Sequence, residues 1–386
     1  MKIAIPKERR ENERRVAISP ETVKKMVDYG LEVIVESDAG KAASYLDDAY
    51  KKAGASIAKE ARTLIPKADV VLKVQRPMTK DDGGEDELQH YKQGQALIAT
   101  MDAYKNRETM EAIAKAGLTA FAMEFMPRIT RAQSMDVLSS QANLAGYKAV
   151  LDAAEHFGKA FPMMMTAAGT IPPAKAFIMG AGVAGLQAIA TARRLGAQVS
   201  ATDVRPAAKE QVESLGGKFV AVEDEEFKEA EAAGGYAKEM SDEYKEKQAE
   251  LIAETIKKQD IVITTALIPG KPAPKLVSAD MVKSMKAGSV IVDLAVENGG
   301  NCELSEPGEV VTTDNGVTIV GHLNVPGRLA ADTSALYGRN VWSFLQLLVD
   351  KESKELKPDF EDQIVKDTCV TRDGEVVSEK LKSEGG

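Results

Sequence analysis

Residues 174–203 read AKAFIMGAGVAGLQAIATARRLGAQVSATD. An apolar run enters Gly180-Ala181-Gly182-Val183-Ala184-Gly185, a helix-patterned stretch leaves it, and a second apolar run ends at Asp203. A bare GxGxxG is weak evidence. Here a strand precedes it, a helix follows, and an acid stands about twenty residues on, which completes a dinucleotide-binding turn. Gly180 makes the tight turn, Gly182 lets backbone approach a pyrophosphate, and Gly185 lets the helix lie close to the sheet. The helix N-terminus then offers N–H groups and positive dipole to phosphate. Asp203 suits a ribose diol and repels a 2′-phosphate, so NAD(H) is favoured over NADP(H), while Arg205 two residues later pulls the other way. Val183 and Val204 flank these groups as candidate contacts.

Outward from this unit the same alternation repeats. Strands are expected at KIAIP, EVIVES, DVVLKV, ALIAT and TAFAME, then at AKAFIMG, AQVSATD, GKFVAV, DIVITTA, SVIVDLA and VTIVGHL. SPETVKKMVDYG carries helix punctuation: Ser19 as cap, Pro20 in the first turn and Gly30 past the end. Strands alternating with helices predict α/β architecture, with two Rossmann-like, doubly wound parallel-sheet domains and a cleft between them. The expected division is residues 1–140 plus 325–386 for a discontinuous first domain, and 141–324 for the NAD(H)-binding domain. TSALYGRNVWSFLQLLVD reads as a late helix returning to the first domain, and the polar tail as a short hairpin with a frayed end. Dinucleotides bind beyond the carboxyl ends of parallel strands. That adds Thr265, Ala266 and Leu267 in ITTALIPG and Glu297 in VDLAVENGG to the candidate contacts, each reading equally as an ordinary loop exit.

Bulk properties exclude several roles. The 386 residues are 44% hydrophobic and 28% charged with net charge −9, which disfavours nucleic acid and direct adhesion to anionic membrane. Two cysteines, Cys302 and Cys369, stand far apart, and His90, His156 and His322 have no ligand spacing, so no metal is expected. The N-terminus has no signal-peptide core and no apolar run reaches eighteen residues, so a membrane role requires partners.

Three stretches stay open on residues alone. Pro127–Gln141, PRITRAQSMDVLSSQ, is either a helix start capped by Asp136 or Ser139 with Arg128 solvated, or a site for something charged. EAEAAGGYAKEMSDEY is a polar segment with Gly234-Gly235 as a hinge ahead of Tyr236 and Met240, suited to a lid or to an idle loop. FPMMMTAAGTIPPA is likewise a core hairpin or an interchain contact.

MPRITRAQSMDVLSSQANLAGYKAV, FPMMMTAAGT, GAGVAGLQAIATARRLGA, AGGYAKEM, TTALIPGKPAP, DLAVENGGNC and GHLNVPGR together resemble the NAD(H)-binding component of proton-translocating nicotinamide nucleotide transhydrogenase, over nearly the whole chain. The resemblance implies that Arg128, Asp136 and Ser139 fix the carboxamide and ribose of NAD(H), and that Gln133 reaches toward a partner's nucleotide. It implies a lid at Tyr236 and Met240, and a homodimer formed near the Met cluster. It also implies an NADP(H)-binding subunit and membrane-spanning subunits as partners, and a cytoplasmic chain held peripherally at the inner membrane. Ending at KSEGG fits a split arrangement of subunits. Alanine dehydrogenase is a sibling, and its lysine and histidine positions are Gln75 and the Met101–Asp102 region here. Glu297 stands at its late aspartate, and Arg15 remains. Hydride exchange between two nicotinamides manages no heteroatom proton, so these losses favour transhydrogenation. An amino-acid dehydrogenase and a non-catalytic NAD(H) sensor are the alternatives.

Overall fold

The computed structural model describes residues 1–228, 240–268 and 270–382. The chain divides into two compact units, Met1–Gln141 with Pro326–Gly386, and Ala142–Val325. Among the described residues seventeen strands run in chain order: β1 Lys2–Ile5, β2 Glu32–Glu36, β3 Ser56–Ala58, β4 Val70–Gln75, β5 Ala96–Thr100, β6 Thr119–Ala122, β7 Met164–Thr166, β8 Gly169–Ile171, β9 Lys175–Met179, β10 Gln198–Thr202, β11 Lys218–Phe219, β12 Ile261–Thr264, β13 Val290–Asp293, β14 Val310–Thr312, β15 Thr318–Val320, β16 Cys369–Arg372 and β17 Glu375–Val376.

In the first unit the sheet order is β17-β16-β6-β5-β4-β1-β2-β3. Strands β1 to β6 pair in parallel, while β16 joins β6 antiparallel and forms a hairpin with β17. Successive residues face opposite layers: Ile3 and Ile5 enter one core, Ala4 the other. Both faces are therefore covered by helices, as apolar, non-alternating strands require. The helix Pro20–Asp28 begins as its punctuation predicts, with Ser19 accepting from the Thr22 N–H and Gly30 at φ +100°. The helix Ala330–Leu348 packs here too, and the Tyr337 hydroxyl donates to the Lys73 carbonyl at 2.8 Å.

In the second unit the order is β11-β10-β9-β12-β13-β15-β14. All neighbours are parallel except β14, which lies antiparallel on β15 at the edge. The chain reverses direction of travel between β9 and β12, which is the switch point of a doubly wound sheet. The doubly wound, largely parallel architecture is as expected, and one edge of each sheet adds an antiparallel strand: β14 returns on β15, and β16, from the late part of the chain, lies on β6 and turns back into β17. Strands β3 and β14 are three-residue edge strands that periodicity does not reveal.

Candidate functional site

In the second unit the glycine turn sits at the carboxyl end of β9, at the switch point. Gly180 has φ +102°, which favours glycine, and a Cβ there would meet the Thr265 hydroxyl at 2.5 Å. Gly185 lies so close to the turn that a Cβ would stand 1.8 Å from the Gly180 carbonyl oxygen. Gly182 differs: a Cβ there meets nothing within 4 Å. Two glycines are thus demanded by the protein's own packing and the third opens outward, which is a cradle for a ligand pressed against backbone. The helix Val183–Arg194 begins at once, and its first intrahelical bond runs from the Leu186 N–H to the Gly182 carbonyl at 2.8 Å. The N–H groups of Val183, Ala184 and Gly185 precede that bond and give the helix end its anion affinity.

Asp203 follows β10 and its side chain is nearly buried. Its carboxylate holds the turn, accepting the Ala181 N–H at 2.7 Å. It also pairs with Arg205, whose Nε and Nη2 donate at 2.8 and 3.0 Å. The acid is therefore already coordinated, by the very cation whose sequence position opposed the NAD(H) reading. Thr265 follows β12 and donates its hydroxyl to the Gly180 carbonyl at 3.1 Å. Ala266 is gripped by Asn301, whose carboxamide accepts the Ala266 N–H at 3.0 Å and donates to its carbonyl at 2.9 Å and to that of Pro274 at 2.8 Å. Asn301 is wholly buried and no sequence pattern singled it out beyond its place in NGGNC. Asp293 anchors the same loop through the Cys302 N–H and the Ser305 hydroxyl. Glu297 is exposed on the 3-10 turn Val296–Asn298 and accepts the Asn324 N–H at 3.0 Å. Val183, Val204 and Leu267 are large apolar side chains left exposed, which suits groups that stack on a ligand. Met240 packs partly into this unit's core, while Tyr236 and the Gly234-Gly235 hinge lie outside the described residues.

In the first unit, Arg128 and Gln133 are exposed, with Gln133 in the 3-10 segment Thr130–Met135. Asp136 precedes the helix Val137–His156 and accepts both the Ser139 N–H at 2.9 Å and its hydroxyl at 2.6 Å. The capping reading of Asp136 is therefore present in the geometry. The loop is held firmly: Asn340 donates to the Ser134 carbonyl at 2.8 Å and accepts from Ser140, and Arg131 forks onto Asp362 at 2.7 and 2.8 Å. This unit has its own switch point between β1 and β4. Buried ions fill it: Lys73 lies 3.3 Å from Glu8 and 3.1 Å from Glu87. Nearby, Arg15 forks onto Glu13 at 2.8 and 2.6 Å and donates to Gln141, and Gln75 donates to Glu13 at 2.7 Å. Burial opposes ionisation of Glu13, yet the Arg15 charge and hydrogen bonds hold its carboxyl below the usual value. No cluster able to hold a metal occurs among the described residues.

A doubly wound sheet with a glycine turn at its switch point and an acid behind that turn defines a dinucleotide-binding protein. Family models agree and are more specific. The alanine dehydrogenase/PNT N-terminal domain matches residues 4–145 and the C-terminal domain residues 149–379, and the chain belongs to this family. It is 61% identical, over the full length of both chains, to an NAD(P) transhydrogenase alpha-subunit component of Rhodospirillum rubrum. The crystal structure of transhydrogenase from Sinorhizobium meliloti superposes with TM-score 0.88 at 57% identity, covering 98% of this chain and 100% of that one. An L-alanine dehydrogenase structure superposes with TM-score 0.80 at 25% identity, covering 99% and 98%.

Proposed function

We propose that this chain is the NAD(H)-binding component of a proton-translocating nicotinamide nucleotide transhydrogenase. It is an oxidoreductase of nicotinamide nucleotides with NAD(H) as its cofactor. It passes hydride to or from NADP(H) held on a partner subunit, while membrane-spanning subunits move the proton. Bound NAD(H) supplies the transferable hydride. Gly182 and the helix end at Val183 take the pyrophosphate, Asp203 and Val204 the adenosine, and Thr265, Ala266, Leu267 and Glu297 line the strand exits. Arg128, Gln133, Asp136 and Ser139 orient the nicotinamide end, on a loop whose fixed hydrogen bonds suit an orienting task.

The observation that carries this reading over an amino-acid dehydrogenase is the Glu13–Arg15–Gln75 cluster. A dehydrogenase must hold a substrate carboxylate and move a proton. Here Arg15 is buried and committed to Glu13 and Gln141, and the carboxamide of Gln75 does not ionise, so it cannot serve as acid or base. Transfer between nicotinamides requires alignment and exclusion of water, and neither acid nor base.

Mixing the protein with an NADP(H)-binding partner and following hydride transfer to an oxidised nicotinamide analogue tests the proposal. Transfer should need both proteins, and Gln133→Ala should slow it about tenfold or more with NADH affinity unchanged. NADH formed from alanine and NAD at ordinary turnover rates, or normal transfer by Gln133→Ala, would overturn the corresponding assignment. The β7–β8 ribbon exposes Met163, Met164, Met165 and Ile171, which supports a homodimer through this ribbon. A monomeric sedimentation mass at micromolar concentration would count against it. No helix among the described residues is long and apolar enough to cross a membrane. The chain's likeness to transhydrogenase subunits supports a place on the cytoplasmic side, attached through its partners.

A further inference from the structure

The ion pair at Asp203 assigns a task to Arg205. An ionised carboxylate offers about four acceptor positions. Asp203 fills four: the Ala181 N–H on Oδ2, the Arg205 N–H on Oδ1 at 2.9 Å, and the Arg205 Nε and Nη2, one on each oxygen. The two backbone donors are fixed by the turn. Of these four donors, the two on the guanidinium can leave by side-chain rotation. Arg205 is a third exposed while Asp203 is nearly buried, so it is the arginine that has somewhere to go. Pro206 restricts the Arg205 backbone, which confines any exchange to the side chain.

We infer that Arg205 is a specificity-determining residue of the nucleotide site: it competes with the adenosine ribose diol for Asp203, and it is the cation that a 2′-phosphate would take were the acid absent. The inference rests on the reading that Asp203 receives the ribose of NAD(H). A diol that displaces the guanidinium replaces two charge-assisted bonds with two hydroxyl donors to the same oxygens, and leaves Arg205 to water. A 2′-phosphate cannot donate to Asp203 and brings two negative charges to a nearly buried carboxylate. It also draws away the side-chain cation that neutralises that carboxylate. With the acid neutralised, the balance inverts. The planar fork of Arg205 is then released from its ion pair and matches phosphate oxygens.

The test is fluorescence titration of NADH and NADPH against wild type, Asp203→Asn, Arg205→Ala and the double variant, each with its thermal midpoint. Asparagine keeps an acceptor for the Ala181 N–H, and Asp203→Ser serves if Asp203→Asn does not fold. Wild type should prefer NADH. Asp203→Asn should weaken NADH and tighten NADPH, each by about tenfold, since the diol loses a charged acceptor while the 2′-phosphate gains the released guanidinium. The double variant should lose the NADPH gain, and Arg205→Ala should bind NADH at least as tightly as wild type. The inference is overturned if Asp203→Asn gains nothing for NADPH, if the gain survives without Arg205, or if Arg205→Ala weakens NADH, which would make the arginine a direct contact. If instead Asp203→Asn binds NADH as wild type does, the ribose reading itself fails and takes the inference with it. The NADH arm and the NADPH arm thus separate the two failures.

Discussion

Replacing Gly182 by alanine separates binding from folding at the centre of the nucleotide site. Gly182 caps the helix Val183–Arg194 with φ −77° and ψ −168°, an extended conformation that alanine adopts without strain. Its added Cβ would have no neighbour within 4 Å. Alanine is a poorer cap than glycine by roughly 0.5–1 kcal/mol, and the stiffer unfolded chain returns a comparable amount, so stability should stay within about 0.5 kcal/mol. The methyl projects where a phosphate must approach to within about 3 Å of the N–H groups behind it. Backing the phosphate away by the width of a methyl forfeits one to two charge-assisted hydrogen bonds, about 3 kcal/mol, or roughly a hundredfold in Kd. NADH titration and calorimetric melting on one preparation provide the assay. A Kd within about threefold of wild type, with the melt unchanged, refutes a pyrophosphate seated on this turn. A lowered melt refutes the open space.

The neighbouring glycine gives the contrary result. Gly185→Ala drives a methyl to 1.8 Å from the Gly180 carbonyl oxygen, so helix and turn must part; thermal denaturation should show a loss of about 3 kcal/mol or more, with NADH binding lost as a consequence. Asn301→Ala leaves the Ala266 N–H and carbonyl and the Pro274 carbonyl without their partner, and urea unfolding should register about 3 kcal/mol together with weakened NADH binding. For Asp82, burial would push the carboxyl pKa up, but the Arg76 and Arg10 guanidinium groups outweigh it and hold the carboxyl far below the usual range. A depressed folded pKa contributes stability above the unfolded value of about 3.9 and loses it as pH falls toward the folded one. The stability difference between wild type and Asp82→Asn, from urea unfolding, should therefore be full at about pH 6 and shrink below about pH 4, and a difference that grows on acidification would reverse the assignment.

The glycine turn was legible because its constraints are local. Spacing, a preceding strand, a following helix and an acid at the next strand end are all properties of thirty consecutive residues, and the folded turn places Gly180, Gly185 and Thr265 in mutual contact. The helix Pro20–Asp28 was legible for the same reason, since a serine cap and a glycine stop act within one turn. Strands β3 and β14 were not, because three residues at a sheet edge carry no period. Asn301 was hidden for a different reason. It acts on Ala266, thirty-five residues away, and its value lies in being buried with every carboxamide group satisfied, which composition cannot report. The Asp203–Arg205 pair falls between these cases: the two residues were visible together, but their opposed implications for the ribose became one ion pair only in three dimensions.

The buried ions of the first unit follow from the same distinction between local and distant information. Both units are doubly wound, and a doubly wound sheet opens a crevice where its strand order reverses. In the second unit the strand ends at that crevice are glycine, threonine and alanine, so backbone faces outward. In the first unit Glu8, Glu13, Arg15, Lys73, Gln75 and Glu87 converge there, from segments that show no common motif. Buried ion pairs are costly to desolvate and contribute little net stability, so packing does not explain their number. What they do supply is a crevice whose carboxylates already have internal counter-ions: Lys73 lies between Glu8 and Glu87, Arg9 lies 3.6 Å from Glu87, and Arg15 answers Glu13. An anionic substrate entering it would have to break those pairs and leave carboxylates buried without partners, at about 3–5 kcal/mol for each broken pair. The two architecturally similar units are therefore chemically unequal. The second carries the glycine turn at its strand ends, where we propose the dinucleotide binds, and the first spends the equivalent position on internal charge; its exposed Arg128–Gln133 loop is the segment we propose for ligand contact.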